Sequence, residues 1–253
     1  MRTYSASGIV LRRIDLSEKD RILTLYTREL GKLSAVAKGA RRPGSKLSGT
    51  SEPFTYSKLF VSRGKDLDVL TQADIKESFP NVKSDISSIA YAVYMLELVN
   101  ACVVEREPNA ELFDTLLSSM YVLESGTDPE IATRYFELHL LSVLGYEPNF
   151  EACLRCGSTI GRKKVAFSPS LGGIICPECG VPPGDAIFVP GAMASYVRAL
   201  RRTEPHKLKD MEFPKQALQD IAQIFKKHIR YRLEHDLKST DFIDTISAAE
   251  QVS

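Results

Sequence analysis

The sequence predicts an α+β multidomain protein with an N-terminal β-barrel, an all-α helical bundle and an inserted knuckle that carries four cysteines. Three observations support this fold class. Apolar residues recur with a period of two through the first third of the chain and with a period of 3.6 from about Ser84. Two Cys-x-x-Cys pairs then lie nineteen residues apart. The predicted domains are residues 1–80, 81–150, 151–182 and 183–245, and the helices of the last are expected to pack with the helical domain.

Five short segments rich in Val, Ile, Leu, Tyr and Thr predict the strands of the first domain. They are residues 4–11, 22–26, 33–37, 56–61 and 67–73. Turn signals such as Ser62-Arg63-Gly64-Lys65 separate them. Five strands in so short a stretch predict a small closed barrel. An OB-fold, whose loops commonly bind oligonucleotides, and an SH3-like barrel both fit this pattern.

Basic residues are concentrated in the first domain, although the formal net charge of the 253 residues is only +1. Residues 1–80 carry a net charge of +6, residues 81–150 carry −8 and the remainder carries +3. Between Lys32 and Lys46 there are five cations and no acid, on a segment that glycine and proline keep irregular. Such a loop can follow a phosphate backbone, and a solvated loop is the alternative. The candidate DNA-binding residues are Lys32, Lys38, Arg41, Arg42 and Lys46.

Aromatic residues and further basic runs extend this hypothesis. Phe54, Tyr56 and Phe60 follow the loop, where they could stack on unpaired bases, although core packing is the commoner role for any one of them. The basic runs at residues 198–202 and 226–232 either supplement the DNA surface or form solvated helix faces.

Helical periodicity predicts three helices between residues 86 and 145, the third of which begins with Asp128 as its cap and Pro129 at its first position. Arg134 lies on this third helix among apolar residues. A salt bridge to a neighbouring glutamate is the commoner interpretation. The functional interpretation is partner binding, with Arg134 as an anchor for the carboxylate of a bound peptide. Two further helices are predicted at residues 192–202 and from residue 215 to about residue 235.

The four cysteines Cys153, Cys156, Cys176 and Cys179 predict a structural Zn²⁺ site, because all four ligand positions are thiols and none is left for a substrate. Gly157 and Gly180 follow the two pairs, where positive φ is expected. Two disulfides are disfavoured because no apolar signal segment precedes them, which predicts a reducing cytosol. Mononuclear iron or an iron–sulfur cluster also uses four thiolates. The fifth cysteine, Cys102, is expected to pack in a core.

Several function classes lack their sequence signals. No apolar run approaches the length of a membrane helix. Neither a P-loop, a G-x-S-x-G elbow nor an H-E-x-x-H motif is present, and no acid, base and nucleophile form a recognisable constellation. The chain is therefore not expected to be an enzyme, and a cytoplasmic, nucleoid-associated location is expected.

The order of these features resembles the RecO family of bacterial recombination mediators. The residues that carry the resemblance are Lys38-Gly39-Ala40-Arg41, Leu144-Gly145-Tyr146-Glu147-Pro148, the four cysteines with Gly157, Phe167-Ser168, Gly172-Gly173 and Leu237-Lys238-Ser239. The resemblance extends over essentially the whole chain, and the stretch from Leu144 to Cys156 is its most specific part. It implies an OB-fold for the N-terminal domain.

The resemblance also implies a function. RecO proteins bind single- and double-stranded DNA and anneal complementary strands. With RecR, and in some bacteria RecF, they help to load RecA onto DNA covered by single-stranded-DNA-binding protein. The family contacts the acidic, apolar C-terminal tail of that protein, and Arg134 with Phe136, Leu138 and Leu141 matches the tail-binding helix. The residues alone leave two other classes of protein open. One is a zinc-ribbon RNA-binding or transcription factor, and the other is a redox or iron–sulfur protein.

Overall fold

The computed structural model describes residues 3–161 and 163–233. Contacts divide this part of the chain into two compact units, residues 3–124 and residues 125–233. Within the described residues, no helix is both long enough and apolar enough to cross a membrane.

The first unit contains a closed five-stranded barrel. Its strands are β1 (Thr3–Asp15), β2 (Arg21–Thr27), β3 (Gly31–Ala37), β4 (Tyr56–Ser62) and β5 (Asp68–Glu77). They pair in the order β1-β2-β3-β5-β4, and β4 pairs again with β1. Alternate residues such as Leu23, Leu25 and Leu33 fill the interior. All five predicted strands are confirmed, and their arrangement fits the OB-fold layout.

Strand β1 is longer than the sequence predicted. It pairs with β4 only from Thr3 to Ile9, whereas its pairing with β2 continues to Asp15. The register with β2 shifts between Val10 and Arg12, and residues 12–19 are all exposed. Beyond Ile9 the end of β1 is therefore paired on one side only, with β2, which in turn pairs with β3 from Arg21 onward. We call this exposed edge and its turn the β1–β2 ribbon (residues 12–21).

Four helices complete the first unit: α1 (Lys46–Thr50), α2 (Pro80–Ser84), α3 (Ile86–Cys102) and α4 (Ala110–Glu124). The sequence predicted α3 and α4 but not the two short helices. Phe113 of α4 packs on the barrel, with ring centroids 5.9 Å from Tyr26 and 6.1 Å from Tyr56. Arg28, which follows β2, and Asp114 add two hydrogen bonds of 2.9 Å. The apolar face of α4 is thus buried against strands.

The second unit combines helices with a small sheet. Its main elements are α5 (Pro129–Val143), β6 (Lys164–Ser168), β7 (Gly173–Ile175), β8 (Ile187–Pro190), α6 (Met193–Arg202) and α7 (Lys215–Leu233). The side chain of Asp128 accepts hydrogen bonds from the N–H groups of Glu130 and Ile131, as predicted for a helix cap. Helices α5, α6 and α7 pack on one another. The sheet, in the order β7-β6-β8, was not predicted.

The division between the units separates α4 from α5. The three helices predicted as one bundle are therefore shared, with α3 and α4 in the first unit and α5 in the second. Three predictions extend beyond the described residues: the end of α7 near residue 235, the last part of the domain 183–245 and the motif at residues 237–239.

Candidate metal centre and nucleic-acid interface

The four predicted metal ligands meet at one point of the second unit. The Sγ atoms of Cys153, Cys156, Cys176 and Cys179 all lie within 4.8 Å of one another. Three Sγ–Sγ separations are 3.7, 3.6 and 3.4 Å, for the pairs Cys153–Cys179, Cys156–Cys176 and Cys176–Cys179. A tetrahedron with Zn–S bonds of about 2.3 Å has edges of about 3.8 Å, so the cluster fits a four-coordinate ion. A disulfide bond of about 2.05 Å is much shorter, and all four thiols are free cysteines.

The backbone of the two knuckles sets this geometry. The N–H of Gly157 donates to the carbonyl of Cys153 over 2.9 Å, and the N–H of Cys179 donates to that of Cys176 over 3.2 Å. Gly157 and Gly180 have φ angles of +72° and +80°, as predicted. In addition, the N–H of Cys176 donates to Cys153 Sγ over 3.3 Å. The chain therefore curls around the sulfurs and directs a donor at one of them.

The thiols have different tendencies to ionise. Burial alone raises the pKa of Cys153, but the backbone N–H groups of Cys176, Cys156 and Arg155 outweigh it and lower the pKa to about 6. The pKa of Cys179 is raised, because its hydrogen bonds with Cys156 and Cys176 favour the protonated thiol. Four adjacent thiolates repel one another unless a cation lies among them. A divalent metal ion is the group that this donor set fits.

Arg155 joins the two knuckles, although no sequence pattern distinguished it. Its Nη1 donates to the carbonyl oxygens of Cys179 and Val181 over 2.8 and 3.0 Å. Ser158 was also missed, and its Oγ lies 3.0 Å from Cys156 Sγ. The only signal for either residue was its place within or beside a Cys-x-x-Cys pair. Such partners around a metal site orient its ligands.

The predicted DNA-binding loop runs from Lys38 to Lys46, and its residues 38–45 connect β3 to α1. Hydrogen bonds attach this loop to the β1–β2 ribbon. The N–H of Gly39 donates to Asp20 Oδ1 over 2.7 Å. The N–H of Arg41 donates to the carbonyl of Lys19 over 3.1 Å. The loop is therefore held in one shape although it has no regular secondary structure.

Four of the five predicted cations lie on this loop or directly after it, and all four are exposed. They are Lys38, Arg41, Arg42 and Lys46. Arg41 donates through Nη1 to the carbonyl of Ser17 over 2.7 Å, and its Nη2 lies 3.5 Å from Asp15. The other three form no ion pair within the described residues. The loop thus presents a cluster of cations that a polyanion can approach.

The three aromatic candidates differ in exposure. Phe54 is buried, and the half-buried Tyr56 packs on Phe113. Phe60 is half-buried, and Lys58 Nζ lies 5.7 Å from its ring centroid. Packing accounts for Phe54 and Tyr56, whereas Phe60 keeps a partly exposed ring beside a cation.

Comparisons with known proteins agree with the sequence. Residues 1–79 match the family model of the recombination protein O N terminal domain, and residues 83–241 match that of the C terminal domain. The chain belongs to the RecO family. Among curated proteins named DNA repair protein RecO, that of Desulforamulus reducens is 33% identical over 246 residues, 97% of this chain and 96% of the relative. That of Pelotomaculum thermopropionicum is 36% identical over 98% of this chain and 96% of the relative. That of Symbiobacterium thermophilum is 34% identical over 98% of this chain and 100% of the relative.

RecO-family membership confirms the resemblance drawn from the sequence and identifies the chain with DNA repair and recombination. The matches cover almost the full length of this chain and of the relatives. The two family models meet between residues 79 and 83, just after β5 ends at Glu77.

In this RecO-family chain, Lys32 lies apart from the other predicted DNA contacts. It is near the start of β3, roughly 20 Å along the strand direction from Lys38. Its ammonium group donates to the carbonyl of Asn100 over 3.0 Å, and its own carbonyl accepts from the N–H of Arg106 over 2.8 Å. The structure therefore does not bring Lys32 together with the four loop cations, and its DNA contact stays a prediction.

Arg134 is buried in the second unit. It is 6% exposed, and its Nε lies 3.0 Å from Oε2 of Glu137, which is also buried. This is the salt bridge that the sequence suggested as the commoner interpretation. A bound carboxylate would have to compete with Glu137, and separating a buried ion pair is costly. Leu138, one residue further on, lines a cavity of about 200 Å³ together with Arg198 and Arg201 of α6.

Proposed function

We propose that this protein is a recombination mediator that binds single- and double-stranded DNA through the loop of its barrel and anneals complementary strands. With RecR, and with RecF where it is present, it helps to load RecA. The observation that carries the proposal is the group of four exposed cations Lys38, Arg41, Arg42 and Lys46 on a loop that contains no acid and is bonded to the β1–β2 ribbon.

Annealing needs no catalytic residue, and none is proposed. Each phosphate that a cation neutralises releases counterions, which gives affinity without regard to sequence. Neutralised strands repel each other less, so they approach more readily, and base pairing then supplies the free energy. A positively charged, sequence-indifferent surface is sufficient for this activity.

Zn²⁺ is the proposed ligand of Cys153, Cys156, Cys176 and Cys179, in a structural role. The support is the set of four thiols within 4.8 Å, with no fifth position left for water or substrate. A structural zinc ion contributes folding free energy when bound. The knuckles themselves orient the sulfurs through Arg155 and the N–H of Cys176.

The C-terminal tail of single-stranded-DNA-binding protein is the proposed protein ligand of the second unit. Such a tail is acidic and apolar, so it requires a cation beside apolar surface. Arg134 was the predicted anchor, but it is buried with Glu137. The cavity beside Leu138 offers apolar surface together with Arg198 and Arg201. Arg198 donates to the carbonyl of Phe150 over 2.9 Å, and Arg201 Nη1 lies 2.7 Å from Oε1 of Glu147, so a tail carboxylate would replace Glu147 at the more exposed Arg201. Variants of Arg134 and of Arg201 would show which arginine a tail peptide needs.

The proposal is tested by measuring binding to a labelled single strand across a salt titration. The variant Lys38→Ala/Arg41→Ala/Arg42→Ala/Lys46→Ala should bind more weakly at low salt. The slope of log affinity against log salt should fall in magnitude by roughly 3, because about 0.7 counterions are released for each contact to single-stranded DNA. Lys32→Ala alone tests the fifth predicted contact.

The matched control removes four exposed lysines of the second unit, Lys163, Lys164, Lys209 and Lys215, which changes the net charge equally. It should leave the slope nearly unchanged. If the loop variant and the control behave alike, the barrel loop is not the DNA-binding surface. Strong preference for RNA over DNA of the same sequence would favour the RNA-binding alternative.

A further inference from the structure

The β1–β2 ribbon carries an unusual pair of exposed side chains. Ile14 and Leu16 at its tip are 45% and 51% exposed. Single exposed apolar residues are common on protein surfaces. These two, however, lie two residues apart on an edge where β1 has parted from β4 and pairs only with β2, so no strand covers that edge.

The tip is structured. The N–H of Leu16 donates to the carbonyl of Asp20 over 3.0 Å. Oγ of Ser17 accepts from the N–H groups of Lys19 and Asp20 over 3.2 and 3.1 Å. Ile14 pairs with Ile22 across the ribbon. The two apolar side chains are therefore presented by a closed turn.

The ribbon is also bound directly to the basic loop. The carbonyls of Ser17 and Lys19 accept hydrogen bonds from Arg41, and Asp20 accepts one from Gly39. A strand whose phosphates contact the loop would thus pass beside Ile14 and Leu16.

Charge beside the ribbon favours an anionic ligand. Asp15 pairs with Arg21 and Arg41, and Glu52 pairs with Arg13 and Arg21. Glu18 is exposed in the turn, and Asp20 accepts a hydrogen bond from the N–H of Gly39. Arg12 and Lys19 are likewise exposed and form no ion pair within the described residues, so they offset the charges of Glu18 and Asp20. The excess positive charge beside the two apolar side chains comes from the adjoining loop, where Lys38, Arg42 and Lys46 form no ion pair within the described residues. Such charge suits nucleic acid better than an uncharged apolar partner.

We propose that Ile14 and Leu16 pack against unstacked bases of a single DNA strand whose phosphates are held by the basic loop. This inference rests on the proposed function and adds a base contact to its phosphate contacts. Apolar side chains can insert between bases, and such contact is indifferent to sequence because every base has an apolar face. Bases held apart by the ribbon would remain available to a complementary strand.

The test compares two probes of equal length and charge: an oligothymidylate strand and an abasic sugar–phosphate strand. The full-length wild-type chain should bind oligothymidylate roughly tenfold more tightly than the abasic strand, since the apolar contact needs bases. Ile14→Ser/Leu16→Ser should remove most of that preference and leave the abasic affinity and its salt slope unchanged. Ile86→Ser is the matched control, because Ile86 is 68% exposed at the start of α3.

A second measurement does not depend on loss of binding. The chain has no tryptophan, so Leu16→Trp introduces a single reporter. Its fluorescence should be quenched by oligothymidylate and little changed by the abasic strand. The base contact would be overturned if both probes quenched the tryptophan equally, or if Ile14→Ser/Leu16→Ser still preferred oligothymidylate as strongly as the wild type. Either result would stand even if the loop variant shows the smaller salt slope expected of it. A salt slope unaffected by the loop variant would instead refute the proposed function.

Discussion

His228 differs from the other basic side chains of α7 because it is buried. Its Nε2 lies 2.8 Å from the carbonyl oxygen of Tyr146, and its ring meets that of Phe167 edge-on at 5.6 Å. Burial, the largest cause, and the nearby Arg232 cation lower its pKa below 6.5, although the hydrogen bond to Tyr146 acts in the opposite direction. The folded protein therefore holds this imidazole in its neutral form at pH 7.

Stability of the protein should consequently fall in mild acid. The unfolded chain takes up a proton at His228 near pH 6.5, whereas the folded chain does so only at lower pH. Protons therefore favour the unfolded state as the pH falls below about 6.5. In His228→Gln this contribution is absent, so its melting temperature should decline less than that of the wild type between pH 7.5 and pH 5.5.

His206→Gln is the control for that comparison, because His206 is exposed. Its melting temperature should decline between pH 7.5 and pH 5.5 by as much as that of the wild type. If the melting temperatures of the wild type and His228→Gln declined equally, titration of His228 would not contribute to the loss of stability in acid.

Single residues also show where sequence reasoning reaches its limit. Lys32 and Lys38 have the same chemistry and lie on the same basic stretch, yet Lys32 bonds to Asn100, which is 68 positions away. For Arg134 the sequence favours an ion pair but leaves a ligand anchor open, and the buried pairing with Glu137 is visible only in the structure. Partners distant in sequence or hidden by burial decide such cases, and a local pattern contains no information about them.

At the scale of elements, local sequence signals were sufficient to predict a helix or strand wherever it was long or was bounded by turn or cap residues. The five strands of the barrel are bounded by turn residues, and α5 begins at a recognisable cap. The cysteine spacing predicted a cluster that the structure brings within 4.8 Å. By contrast, α1 and α2 have five residues each and β7 has three, too few for a period to emerge.

The continuation of β1 to Asp15 was missed for a different reason. Its residues from Arg12 onward are exposed on both faces, so the alternation that marks a half-buried strand is absent. Only pairing with β2 makes this segment a strand.

The knuckle should depend on its metal ion. We expect about one equivalent of zinc per chain and a colourless protein, whereas iron would absorb visible light. Cys153→Ser/Cys176→Ser should lose the zinc and melt at a temperature lower by roughly 10 °C, because the ion contributes folding free energy to the second unit. Metal analysis measures the zinc content, and thermal unfolding measures the melting temperature.

Cys102→Ser is the control variant, since Cys102 lies in the first unit outside the cluster. Cys102 is half-buried at the end of α3 and is not part of the core, and this partial burial raises the pKa of its thiol to about 12. It should keep its full zinc content. Unchanged melting of the double cysteine variant after complete zinc loss would contradict a structural role for the metal.

At the scale of the whole molecule, the distribution of charge matters more than its total. A net charge of +1 gives little attraction to DNA, but the barrel loop alone presents four exposed cations. A local surface of this kind acts over about a Debye length, roughly 8 Å at physiological salt. DNA binding should therefore weaken and annealing should slow as the salt concentration rises, whereas metal binding by the four cysteines should not change.

The most direct test of the proposed function is to measure how fast two complementary single strands anneal at moderate salt, with fluorescence as the readout. The wild-type chain should accelerate annealing well above the protein-free rate. Lys38→Ala/Arg41→Ala/Arg42→Ala/Lys46→Ala should return the rate close to that baseline, and the charge-matched lysine control should not. Annealing by the loop variant at the wild-type rate, or no acceleration by a wild-type protein that binds both strands, would contradict the account.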